Sequence, residues 1–147
     1  MAPVAGIAAT AFLIFALLGC GGGDDNSEPS LTKAAFVKQG NALCKKERKE
    51  RDKVAEAAVE KYLAEETPEA KKEAVIAVVR HYEQTTAHLA ELGAPEGEEK
   101  EVAQMIEAME EGASRAKADP ERAYEEFYPF KDANKAVEEY GLTECTA

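Results

Sequence analysis

The chain has 147 residues, with 18 Lys and Arg against 29 Asp and Glu, for a formal net charge of −11. A length of this order suits one compact domain. The acidic balance repels nucleic acid and argues against it as a partner.

In chain order, Pro3 to Leu18 carries no charge and is rich in Ala, Leu, Ile and Phe. A membrane-spanning helix needs about 20 apolar residues, and this run falls short of that. Small residues follow it at Gly19 and at Gly21-Gly22-Gly23. This is the pattern of a secretory apolar region with its processing site. Leu17-Leu18-Gly19-Cys20 resembles the lipobox of bacterial lipoproteins, with Leu three residues before the cysteine and a small residue just before it. Met1 to Gly19 holds no Lys or Arg, so either the terminal amine is the positive charge there or the start lies upstream. The resemblance implies that residues 1–19 are removed and that Cys20 becomes an acylated N-terminus carrying palmitate or similar chains. Two or more such chains hold a protein firmly to a membrane. The expected location is the extracytoplasmic face of the cell membrane. No later segment is apolar enough to span a bilayer, so the lipid is the expected attachment.

Residues 20–30 then form the lipidated cysteine and its tether. The stretch GGGDDNSEPS offers nothing that builds a core. As a coil it reaches on the order of 20 Å. Residues 31–147 are the expected domain. Two cysteines remain, Cys44 and Cys145. An even number outside the cytoplasm suits a disulfide, which here closes a loop of about 100 residues and contributes up to roughly 4–5 kcal/mol. A metal pair and a redox pair are the competing readings; neither CxxC spacing nor a nearby His supports them.

Helical periodicity runs through the domain and no alternating strand pattern does. Four segments follow from their start and stop signals. The first runs from an N-cap near Thr32 to about Ala64, with Phe36, Gly40, Leu43, Cys44, Val54, Ala58 and Tyr62 on its inner side. The second starts at Thr67-Pro68, a capping Thr with Pro at the first helical position. Val75, Val79, Tyr82, Thr86 and Leu89 form its stripe, and Gly93 with Pro95 ends it. The third runs from about Glu96 to Ala118, with Val102, Met105, Ile106, Met109, Ala113 and Ala116 inward. Asp119-Pro120 opens the fourth, lined by Ala123, Phe127, Phe130, Ala133, Val137 and Tyr140 and ended by Gly141. Pro129 predicts a kink or break within it. Short connections make consecutive helices antiparallel neighbours. The expected fold is all-α, an up-down-up-down four-helix bundle with helices one and four adjacent, which lets Cys44 and Cys145 meet at one pole.

Leu31-Thr32-Lys33-Ala34-Ala35-Phe36, Asn41-Ala42-Leu43-Cys44 and the closing Gly141-Leu142 with Cys145 resemble small secreted helical lipoproteins of high-GC Gram-positive bacteria. That resemblance implies the helical fold and the bridge. It carries no catalytic residue.

Four features could bear function. Lys45 to Lys53 (KKERKERDK) is nine consecutive charged residues, six of them basic: Lys45, Lys46, Arg48, Lys49, Arg51 and Lys53. It is either a basic patch for an anionic membrane or acidic partner, or a solvated face laced by Lys46–Glu50, Glu47–Arg51 and Arg48–Asp52 pairs worth a few tenths of a kcal/mol each. Steps of three and four from Gly40 and Cys44 nevertheless land on Glu47 and Arg51. They therefore either form a buried charged pair, which is costly unless well bonded, or the helix bows. His81 and His88, seven apart, stand about 10 Å apart along the axis. That is too far for one metal ion, and they are expected at the core boundary or surface. Tyr124, Phe127, Tyr128 and Phe130 around Pro129 either line a pocket for a ligand or partner, or plug the end of the bundle. The acidic stretch Glu96 to Glu111 is a weak cation attractor or a solubility face.

There is no phosphate loop, HExxH or GxSxG, and no free cysteine nucleophile once the bridge forms. No enzyme activity, cofactor or metal is expected. The sequence reads as a membrane-tethered, monomeric binding or interaction module for an envelope protein or small ligand. A metal or small-ligand carrier and a structural cell-envelope protein are the alternatives.

Overall fold

A computed structural model describes residues 31–126 and 128–147. Residues 1–30, which hold the expected lipobox, Cys20 and tether, and Phe127 lie outside the described residues. Among those residues the chain is all-helical, without strands. Helix α1 spans Lys33–Glu65, α2 Pro68–Glu91, α3 Glu99–Ala118, α4 Pro120–Glu126 and α5 Lys131–Tyr140. Single 3-10 turns lie at Tyr128–Phe130 and Thr143–Cys145.

Local chemistry sets these boundaries. The hydroxyls of Thr32 and Thr67 accept from the amides of Ala35 and Ala70 at 3.2 and 3.1 Å, and Asp119 Oδ1 accepts from the Arg122 amide at 3.2 Å. Each such cap contributes about 1 kcal/mol. At the end of α5 Gly141 turns the chain with φ 101, a conformation that favours glycine. The third helix begins at Glu99 rather than near Glu96, because Gly97 takes φ 80 and holds the backbone out of the helix until then. The fourth segment is broken at Pro129 into α4, a 3-10 turn and α5, since proline cannot continue the hydrogen-bond ladder.

Helix α1 packs on α2, α2 on α3 and α3 on α5. Contacts between α1 and α2 run in opposite chain order: Lys61 pairs with Glu73 at 2.5 Å, Glu47 meets His81, and Gly40 lies against Leu89. The C-terminal segment meets α1 mainly through the turn after α5 and the 3-10 turn at Thr143–Cys145, while α4 rests on α2.

Part of the core closes around the returning tail. Phe36, Leu89, Met109, Val137 and Leu142 are fully enclosed. The Phe36 and Tyr140 rings meet edge to face at 5.6 Å. Cys44 and Cys145 form a disulfide with Cα atoms 5.0 Å apart. Gly40 permits this closeness, because a Cβ there would stand 2.6 Å from Leu142 Cδ2. Asn41 holds the same tail from both sides of its amide: Nδ2 donates to the Gly141 carbonyl at 3.0 Å and Oδ1 accepts from the Glu144 amide at 2.9 Å.

Candidate functional site

One turn beyond the disulfide, α1 places Glu47 against α2. Glu47 is buried, as its position on the inner stripe allowed, but its partner is not Arg51. One carboxylate oxygen lies 3.4 Å from His81 Nε2, and the other lies 3.5 Å from His88 Nδ1. His81 Nε2 is also 2.9 Å from the Glu47 backbone carbonyl. A buried carboxylate needs such partners, because leaving water without them is costly. The seven-residue spacing that separates two imidazoles along α2 is thus spanned by the two oxygens of one carboxylate. His81 is mostly buried, and His88 remains about half exposed, with 47% of its side chain accessible. The described residues gather no metal-holding group of three or more His, Cys, Asp or Glu.

Helix α2 satisfies its own buried hydroxyls. Thr85 and Thr86 donate back to the carbonyls of His81 and Tyr82 at 3.1 and 3.0 Å. Tyr82 has no such partner. It is 3% exposed, and its hydroxyl makes no hydrogen bond among the described residues. Burial pushes this phenol far above its ordinary range, and the nearby Arg51 guanidinium only partly opposes that. The group therefore stays protonated and presents an O–H donor.

The charged run does not act as one patch. Lys45, Lys46, Lys49 and Lys53 are exposed, whereas Arg48 and Arg51 are half-buried and turn toward the tail. Arg48 Nη2 donates to the Glu144 carbonyl at 2.6 Å, and Nη1 lies 3.4 Å from the Glu144 carboxylate. Arg51 reaches the Thr146 carbonyl only at 3.5 Å and the Asp52 carboxylate only at 3.7 Å. The three expected pairs along the run are replaced: Glu47 goes to the histidines, Arg48 to Glu144, and Glu50 to Lys53 at 2.9 Å. Packing against α2 and the tail turns these side chains away from their neighbours one turn along.

Beyond Arg51 the inner face of α1 loses its cover. Val54, Ala58 and Tyr62, expected inside, are only half-buried, and Val59 and Leu63 are 38% and 64% exposed. An apolar cavity of about 600 Å³ opens here between α1, α2, α4 and the 3-10 turn at Tyr128–Phe130. Its walls are Ala55, Val59, Ala74, Val75, Val78, Val79, Tyr82, Ala123, Tyr124 and Phe130, with Arg51, Asp52 and Ala147 also on its lining. That volume lies within the usual range for small-molecule sites.

Of the four aromatics around Pro129, Tyr124 and Phe130 thus face this cavity, Tyr128 opens the 3-10 turn, and Phe127 is outside the described residues. The Phe130 ring packs on Tyr82 at 4.8 Å, and the Tyr124 ring on Tyr62 at 5.7 Å. The cavity's polar end adjoins a second, water-sized space of about 10 Å³ beside the disulfide; Arg51 and Tyr82 line both. Sequence reasoning missed Tyr82 as a polar group, because at its stripe position a tyrosine reads as core. The available signal was the polar band His81, Tyr82, Thr85 and Thr86 interrupting an apolar helix face.

No family model, curated protein or solved structure matches this chain. No helix among the described residues is long and apolar enough to cross a membrane.

Proposed function

We propose that this protein is a binding module held to the outer face of the cell membrane by acyl chains on Cys20, and that the apolar cavity is its ligand site. The observation that carries the reading is the cavity itself. About 600 Å³ of space is walled by aliphatic and aromatic side chains, in a domain whose other half is closely packed. An apolar site of this size with a few polar groups at one end is the usual form of a small-molecule site. The helices are read as an up-down-up-down four-helix bundle in which α4 and α5 together supply the fourth member. The succession of contacts from α1 to α2, α2 to α3 and α3 to α5 supports this; the expected adjacency of helices one and four is met by the tail turn at Thr143–Cys145, while α4 rests on α2. No catalytic role is assigned to any residue.

The experiment is titration with a neutral solvatochromic dye such as Nile red. Saturable emission enhancement is expected, and Val78→Phe, which fills the cavity from α2, should abolish it. Dye emission that does not saturate, or that survives the substitution unchanged, overturns the reading. The anchor is tested separately by mass spectrometry of membrane-extracted protein, which should show acylated Cys20 as the first residue.

A further inference from the structure

Among the polar residues of the cavity lining, Arg51 and Tyr82 also border the water-sized space beside the disulfide, which puts both at one end; Asp52 and Tyr124 are the others. The Tyr82 hydroxyl is buried without a hydrogen-bond partner among the described residues. Such an orphan is uncommon in a native protein, because it forfeits the bond it made with water. The Arg51 guanidinium carries five donors in a planar fork. Its contacts, at 3.5 Å to Thr146 and 3.7 Å to Asp52, are too long for full hydrogen bonds. Its side chain is nonetheless four-fifths covered, at 20% exposure. Both residues line the cavity.

The rest of the cavity fixes the body of the guest. Val59, Val75, Val78, Val79 and Ala123 offer no hydrogen-bonding side-chain group, so a polar body would be stranded there. Asp52 also lines the cavity, but its side chain is 65% exposed and can turn to water.

We propose that the cavity takes an amphipathic anion of the fatty-acid type. Its acyl chain lies along the valine walls, and its carboxylate is held by the Arg51 guanidinium and the Tyr82 hydroxyl. This rests on the cavity being the ligand site. Charge-assisted bonds from an arginine fork are the stronger kind and match a carboxylate's two oxygens.

The test is calorimetric titration of the oxidised full-length protein with dodecanoate below its micellar threshold, beside dodecanol and inorganic phosphate. Dodecanoate should bind at least about tenfold more tightly than dodecanol, and phosphate alone should give no saturable heat. Arg51→Gln should weaken dodecanoate about tenfold or more and leave dodecanol unchanged. Tyr82→Phe removes only the hydroxyl. It should weaken dodecanoate while the empty protein becomes no less resistant to urea, which separates a binding role from a folding one. Equal affinity for the acid and the alcohol, or dodecanoate binding indifferent to both substitutions, overturns the head-group assignment and leaves the cavity reading intact. Failure of dodecanoate, dodecanol and Nile red alike overturns both.

Discussion

Cys44 and Val59 lie roughly four turns apart on one helix, yet they stand in different surroundings. At Cys44, α1 is enclosed by α2 on one side and by the returning tail on the other. Phe36, Leu89, Val137 and Leu142 are fully buried there, and a disulfide and the Asn41 amide fasten the tail. At Val59 the tail has gone. The seven-residue α4 covers the gap incompletely, leaving Val59 and Tyr124 more than a third exposed and a cavity between the helices. One half of the domain puts its apolar surface into stability. The other leaves apolar surface open at Val59, Leu63 and Tyr124.

The largest effect should come from removing the bridge. Cys44→Ala with Cys145→Ala lowers stability by about 2–5 kcal/mol in urea denaturation, since a loop of about 100 residues is set free in the unfolded chain. Hydrogen exchange should then speed first in the tail and the first half of α1. Equal acceleration in the second half of α1 would break the comparison. A smaller loss, about 1–3 kcal/mol, is expected for Glu47→Ala, which removes the carboxylate between the two imidazoles while His81 keeps the backbone carbonyl at 2.9 Å. A double-mutant cycle with His81→Ala should return a coupling of about 0.5–3 kcal/mol; additivity would show that the 3.4 Å contact carries no energy. Leu63→Ser, on the open half, should change stability by no more than about 0.5 kcal/mol.

Much of this fold is written locally. Thr32, Thr67 and Asp119 cap helices where a side-chain oxygen can reach an amide three residues on, and Gly141 and Pro129 act on the backbone at their own positions. Such signals need no knowledge of the neighbouring helix. Gly97 belongs with them: Pro95 to Glu98 closes a turn at 3.0 Å with Gly97 at its third position, and its positive φ delays α3.

The candidate site is less legible, because it depends on how helices are rotated about one another. The spacing of His81 and His88 argues against their sharing one ion. It says nothing of a carboxylate on α1 that meets one with each oxygen. Likewise Val54, Ala58 and Tyr62 continue the inner stripe of α1 in perfect period, but no sequence pattern states whether an opposing helix is long enough to cover them. By its stripe position Arg51 reads as a charge in the seam. Its role at the cavity emerges only with Tyr82 beside it.

The position of Arg51 along its helix has a further consequence. It lies 18 residues beyond Lys33, or roughly 27 Å at a rise of 1.5 Å per residue. With the proposed anchor at Cys20 and a tether that reaches on the order of 20 Å, the opening at Arg51 can stand clear of the lipid headgroups or tip down to meet them. The proposed reading thus admits capture of a guest from water as well as from the bilayer, and loading from vesicles set against loading from solution tells the two routes apart.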